Sequence, residues 1–432
     1  MPQVVPIAWL KKDQTVPIGQ LVLSDDSGQG ASMAFRYDKE WLSFGFPLGS
    51  DLPLSPTIHY PSTDSMETDP VLAARSDVFG FFADHAPGKW VEKLIRQAHL
   101  NDLKIDFLEG TPASTEIWTH SGHVFGRFSS LALPLTHGFH TKFLPPVLEL
   151  DGGGKISKSV KNLGLAMQTL HAGASIRGKE LVEMLLSSAM ELGGTNPKCV
   201  VRLGKSEDEW VVRHASARDP VNSALWMAVT RELAQACGVK VVEGKLIAPR
   251  LYAERRFDRG DDGSPLLCLS AASLVRRQIT RERILHPTPK TYLDIADILN
   301  RCGADPTADL RALFARLLFN TLTGNNRDRL DQFWFTPTDL GWKLLPMYAP
   351  CAQLPILSAR FLSTPLKPGV NVADPDTAIL LSRYFGVTTK EAKAMRLEFM
   401  QVLSEWQRIA QKAGADLLEI RQMQGAFGQV NI

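Results

Sequence analysis

The chain has 432 residues, 44% of them hydrophobic and 22% charged, which is enough material for two or more hydrophobic cores with no need of disulfide or metal staples. A formal net charge of +2 and a pI of about 8.2 exclude a global basic field for nucleic acid, so any such contact must come from a local patch or a partner. The cysteines Cys199, Cys237, Cys268, Cys302 and Cys351 are odd in number, widely spaced and free of C-x-x-C pairs, which fits a reducing compartment.

The first segment, MPQVVPIAWLKKDQ, has no long apolar core behind a basic end, and no apolar run approaches the ~20 residues of a membrane span. The expectation is a soluble, cytoplasmic protein with no membrane contact.

Residues 1–150 are expected to form a strand-rich subdomain with one helical insertion. VVPIAWL, VPIGQLVLS and SMAFRYD are β-type runs separated by polar turn clusters. DVFGFFADHAPGKWVEKLIRQAHL is first strongly apolar and then amphipathic, a helix broken near Pro87 and Gly88. No second metal-ligand type stands at helical spacing from His85, so a packed or capping role is expected for it. The segment from Leu150 to Gly164, rich in glycine and lysine, is expected to be a linker or loop.

Residues 151–265 follow as a lobe of nucleotide-binding type. GKELVEMLLSSAM has a helical apolar face, and CVVRL and WVVRHA alternate as strands around a turn from Gly204 to Glu209. Asp219-Pro220 marks a helix start, with a stripe of Leu225, Val229, Leu233 and Ala236 and a stop at Gly238. KVVEGKLI and RLYAERRF are the next strands.

Residues 266–432 are expected to be mainly helical. Leu310, Leu313, Phe314, Leu317 and Leu318 mark a buried helix ending at Gly324, and a hairpin is expected in FWFTPTDLGWKLLPMYAP. Thr388 and Glu391 form a capping box before one long helix carrying Met395, Phe399, Val402, Trp406 and Ala410 and stopping at Gly414. The fold class is therefore α+β.

Two clusters could carry chemistry. The first is Gly193-Gly194-Thr195-Asn196-Pro197-Lys198, whose backbone N–H groups and lysine suit a phosphate cradle and suit a tight turn equally well. The second is the loop in FNTLTGNNRDRLDQ, from Phe319 to Gln332. It has the shape of a kinase catalytic loop, in which phosphoryl transfer needs an acid facing the substrate hydroxyl and an amide and a carboxylate for Mg²⁺.

Over nearly its whole length the chain resembles the HipA family of bacterial toxin–antitoxin kinases. SMAFRYDKEWL is similar to that family's "fsYd-x-x-WL" segment, FPLGSDLPLS to "fplS-x-x-LPL", and FGFFADHAPGKW to "f-f-x-d-x-l-P-d-g-W". LGGTNPKCVVRL resembles the "GGarPKa" glycine loop and AERRFDR the "v-e-R-F-D-R" motif. NTLTGNNRDRLDQFWF stands where the family has "N-t-D-d-H-l-k-N-f", and LLPMYAP where it has "l-a-P-x-Y-D".

The resemblance implies an ATP-dependent Ser/Thr protein kinase fold, with ATP contacted by Gly193, Gly194, Thr195 and Lys198. The departures fall on the chemistry. Aligned from Asn325, the family's catalytic aspartate falls on Arg327, its histidine on Arg329 and its metal-binding asparagine on Gln332. The second metal-binding aspartate falls on Ala349, and the lysine that contacts ATP falls on Arg213. Arginine accepts no proton at working pH and alanine offers Mg²⁺ no oxygen, which argues against Mg²⁺ binding by the usual route. A shifted register would use Asp328 or Asp331, but neither has an asparagine five residues on. The family's inhibitory autophosphorylated serine falls on Glu191, either a solvated helix-end residue or a fixed charge that holds the loop in its off state.

The leading expectation is a pseudokinase that acts by binding. The partners it implies are an antitoxin-like helix-turn-helix protein, an active HipA-like kinase, or both, with DNA reached only through the partner. One alternative is an active kinase modifying a translation component such as an aminoacyl-tRNA synthetase. The other is a scaffold that binds no nucleotide.

Overall fold

The computed structural model describes residues 3–11, 14–26, 30–61, 78–85, 90–91, 94, 131–132, 148–150, 158–172, 185, 192–204, 207–275, 289–354 and 360–428. The chain divides into two compact units, residues 1–65, 75–213 and 258–269 in the first and 66–74, 214–257 and 270–432 in the second.

The first unit opens with an antiparallel sheet of β1 (Gln3–Lys11), β2 (Gln14–Asp26), β3 (Gly30–Tyr37) and β4 (Leu131–Ala132), in the order β3-β2-β1-β4. In β3 the two-residue period is explicit, since Met33, Phe35 and Tyr37 are buried while Arg36 faces out. Phe35 meets Tyr37 and Phe82 edge to face at 5.0 and 5.7 Å. Gly19 is required by close approach, because a Cβ there would lie 2.4 Å from the Arg36 carbonyl oxygen.

Helix α1 (Lys39–Phe44) is capped by Asp38, which accepts from the Glu40 N–H at 2.8 Å. In α2 (Gly80–Asp84), the first amide donates to Asp51 at 2.8 Å. His85 is packed, its Nδ1 donating to Phe81 O at 2.7 Å and its ring lying 4.8 Å from that phenylalanine.

The expected linker from Leu150 to Gly164 is corrected in its second half. Helix α3 (Lys158–His171) begins inside it, and Val160, Leu163 and Met167 are buried along one face. That stripe emerges only when the reading window runs past Gly164. Strand β5 (Leu148–Leu150) pairs in parallel with β6 (Lys198–Leu203), which pairs antiparallel with β7 (Glu209–His214). Of the helix expected in GKELVEMLLSSAM, only Leu185 is described, buried and helical; the rest lies outside the described residues.

The second unit begins with α4 (Ser223–Ala236), which starts later than Asp219-Pro220 suggests. Its N-cap is Asn222, whose side chain accepts from the Leu225 N–H, while Asp219 takes the Ser223 hydroxyl at 3.3 Å. Leu225, Val229 and Leu233 are buried, but Ala236 is exposed. The antiparallel pair β8 (Gly244–Ala248) and β9 (Leu251–Arg255) follows.

Helix α5 (Tyr292–Cys302) carries a full capping box of Thr291 and Asp294. Helix α6 (Pro306–Leu322) is buried along Leu310, Leu313, Phe314, Leu317 and Leu318, as its spacing predicts. It stops at an extended Thr323 rather than at a left-handed glycine. Gly324 serves close packing instead, since a Cβ there would stand 2.8 Å from Ala426 Cβ and 3.1 Å from Gln353 O. The expected hairpin is β10 (Trp334–Thr338) paired with β11 (Gly341–Leu344).

Helix α7 (Pro375–Leu381) leads to α8 (Thr389–Leu403), which has the Thr388–Glu391 capping box. The single long helix expected here is two helices. α8 ends at Ser404, and α9 (Trp406–Ala413) restarts after Glu405 and stops at Gly414, φ 103°. The break turns Trp406 onto Phe427, stacked at 4.6 Å, and to 6.1 Å from Trp226 of α4. From α10 (Leu417–Met423), Glu419 accepts from the Asn222 N–H at 2.5 Å and from the Trp226 indole at 3.1 Å. Among the described residues no helix is long and apolar enough to cross a membrane.

Candidate functional site

The loop from Thr323 to Gln332 is organised by two buried polar residues of helix α6. Arg316 and Asn320 stand four residues apart and so share one face. Both reach Asp328. Arg316 donates twice to its carboxylate, at 2.7 and 2.5 Å, and Asn320 donates at 2.7 Å. Arg316 is 3% and Asp328 7% exposed, so the pair is a buried fork-to-fork ion pair. The Arg316 guanidinium also lies 4.0 Å from the Phe333 ring centroid and donates to the Gln332 carbonyl at 3.0 Å.

The rest of the loop is tied to this pair. Asn325 donates to Asn320 Oδ1 at 2.7 Å and accepts the Cys351 N–H at 3.0 Å. The Asp328 carbonyl accepts the Thr364 hydroxyl at 2.7 Å, and the Asn326 carbonyl accepts the Ser363 N–H at 2.8 Å. Tyr292 accepts from Asn320 at 2.9 Å, and its hydroxyl is held above the ordinary tyrosine range, first by burial and then by the nearby Asp328.

Against this frame the expected site residues separate. Asn325 and Asp328 are buried inside the network, and Gln332 joins it through its backbone, while its side chain reaches only Asp331, at 3.5 Å. Asp331 accepts from Arg329 at 3.1 and 2.5 Å. Arg327 points to solvent and makes no hydrogen bond or ion pair among the described residues. Its charge draws down the Cys351 thiol, which burial pushes up to about 12.

Ala349 is the one non-glycine residue with positive φ among the described residues, at 46°. Its N–H donates at 2.7 Å to Oε2 of Glu254 on β9, a carboxylate only 2% exposed. Beside it Tyr348 stacks on Phe257 at 4.7 Å and receives the Trp334 indole N–H at 3.3 Å.

In the first unit, Gly193, Gly194 and Thr195 are exposed, and Gly194 is left-handed at φ 87°. Lys198 Nζ donates to Gly193 O at 2.7 Å, and Lys198 pairs in register with Arg213 across β6 and β7. Leu192, Val200 and Val211 form the apolar cluster beneath the turn. Glu191 lies outside the described residues.

Sequence reasoning passed over Arg316, Asn320, Tyr292 and Glu254. The polar i,i+4 pair interrupting an apolar helix was the available signal for the first two. For Glu254 nothing local distinguishes an inward glutamate in AERRF from its outward neighbour Arg255.

The architecture is α+β, and the loop above follows a buried helix of the second unit. A family model described as the HipA-like C-terminal domain matches residues 190–427, and one described as the HipA N-terminal domain matches residues 9–110. The chain belongs to the HipA family. Its fold is similar to HipA of Shewanella oneidensis MR-1, solved in a toxin–antitoxin complex with HipB and its operator DNA, at a TM-score of 0.59 and 14% identity over 98% of this chain and 95% of that one. The Helicobacter pylori proinflammatory kinase CtkA aligns with 54% of this chain and 92% of its own at 11% identity and a TM-score of 0.35. Comparison with curated protein sequences gives no match.

Proposed function

We propose that this HipA-family chain is a pseudokinase that acts by binding a partner protein rather than by phosphoryl transfer. The observation that carries the reading is the state of Asp328. It is the carboxylate next to the family's catalytic position, and it is buried and spent on Arg316 and Asn320. Both of its oxygens are occupied, and little of its surface is left to a substrate hydroxyl.

The other positions support the same conclusion. Arg327 stands where the family has its acid; its charge repels a metal ion, and it has no acceptor for a hydroxyl proton. The residues at the family's metal positions do not fit Mg²⁺. Ala349 contributes no side-chain oxygen there, and Gln332 brings an amide whose neighbouring carboxylate, Asp331, is taken up by Arg329. We therefore derive no step through a metal ion.

The solved relative carries HipB and operator DNA. By analogy the partner proposed here is an antitoxin-like helix-turn-helix protein, with DNA reached only through it, or an active HipA-like kinase. The glycine turn with Lys198 and Arg213 is the proposed ATP contact. Co-expression with the products of adjacent genes, followed by purification and a transfer assay with Mg²⁺ and ATP, tests the reading. A stable complex without phosphotransfer is expected, and Mg²⁺-dependent phosphorylation of the chain or its partner would overturn it. A thermal shift with ATP distinguishes this from a scaffold that has lost the nucleotide too.

A further inference from the structure

We propose that the loop between α6 and β10 binds a phosphate monoester through Arg327, without a metal ion; this deepens the pseudokinase reading and rests on it. The charges of the loop cancel in pairs except at one residue. Asp328 is neutralised by Arg316 and Asp331 by Arg329, which leaves Arg327 as the unbalanced group.

Its mounting is rigid. The residue before it is fixed by Ser363, and the residue after it by Thr364, Arg316 and Asn320. The fixed backbone spares the loop any ordering cost on binding, so only the side chain itself must be immobilised, and its planar fork matches two oxygens of a phosphate.

Position adds the choice of ligand. In a kinase the acid at this point of the loop faces the hydroxyl that is to be phosphorylated. A cation in the same place disfavours that hydroxyl's activation and favours the phosphate once it is there. The chemistry fits a phosphoserine or phosphothreonine side chain, and equally a free phosphate.

The test is calorimetric titration of the full chain in EDTA with a phosphoserine peptide, its unphosphorylated form and inorganic phosphate. Binding of the phosphorylated ligands is expected, weakened about tenfold or more in Arg327→Gln. A phosphopeptide that outbinds inorganic phosphate identifies a phosphoprotein as the ligand, and equal affinities identify free phosphate. Arg327 is exposed and has no ion-pair partner among the described residues, so the variant should fold normally, which circular dichroism checks. No phosphate binding, or binding unchanged in Arg327→Gln, would overturn the proposal. If phosphotransfer is also absent, only this inference falls; if Mg²⁺-dependent transfer appears, the pseudokinase reading falls with it.

Discussion

Replacing Asp328 by asparagine separates a structural role from a catalytic one. The change keeps the shape and removes the charge, so Arg316, 3% exposed, is left as a buried cation with no counterion. Breaking a buried pair by removing one partner costs about 3–5 kcal/mol, much of it the desolvation of the remaining charge. Set against a total stability of about 5–15 kcal/mol, that is a large fraction.

The new amide compounds the loss, because its N–H₂ group takes the place of one acceptor oxygen and, at the Oδ2 position, would face donors on both Arg316 and Asn320. Urea unfolding followed by circular dichroism should show the midpoint fall strongly. In the double variant Arg316→Gln with Asp328→Asn, the second change should cost much less than it does alone, because no buried charge remains. A loss below about 1 kcal/mol for Asp328→Asn would refute the burial argument and return Asp328 to the list of candidate acids.

Further outcomes follow from other sites. Ala349→Gly removes the left-handed penalty of roughly 1–2 kcal/mol and adds back part of it as chain entropy, so a stabilisation of up to about 1 kcal/mol is expected in a thermal melt. Ala349→Asp puts a second carboxylate beside buried Glu254 and should destabilise at neutral pH, with Glu254→Gln relieving it. Gly324→Ala drives a methyl into Ala426 and Gln353 O, an overpacking cost of about 1–3 kcal/mol that urea unfolding should reveal. Glu391 is held below the ordinary glutamate value of 4.5 by the Thr388 hydroxyl and N–H. A depressed acid contributes stability above that value and loses it as pH falls, so Glu391→Gln should flatten that part of the acid limb in melts over about pH 6 to about pH 3.

Much of the fold was legible because it obeys local rules. The β3 alternation, the α6 stripe, the α8 capping box and the β10–β11 hairpin are each written in consecutive residues. What the sequence hid depends on tertiary contact. The long C-terminal helix breaks where Trp406 must reach Trp226 and Phe427, which lie far off in the chain. Helix α4 is capped by Asn222 rather than Asp219, and the Asn222 N–H is taken by Glu419, 197 positions later.

The loop shows the same division. Its position after α6 and its unusual residue types were readable from the motif. That Asp328 faces inward and Arg327 outward was not, because nothing in the sequence says that Arg316, Asn320 and Thr364 converge on position 328 rather than its neighbour. Likewise the left-handed backbone at Ala349 is set by the chain around it and the Glu254 carboxylate, and not by a glycine that would have announced it.

The most direct test of the central claim is transfer from γ-labelled ATP in the presence of Mg²⁺ or Mn²⁺, with the native chain and the triple variant Arg327→Asp, Gln332→Asn, Ala349→Asp run side by side. The native chain should incorporate no label above a metal-free control, whatever the partner supplied. Metal-dependent labelling of the native chain, or of its partner by it, would contradict the account.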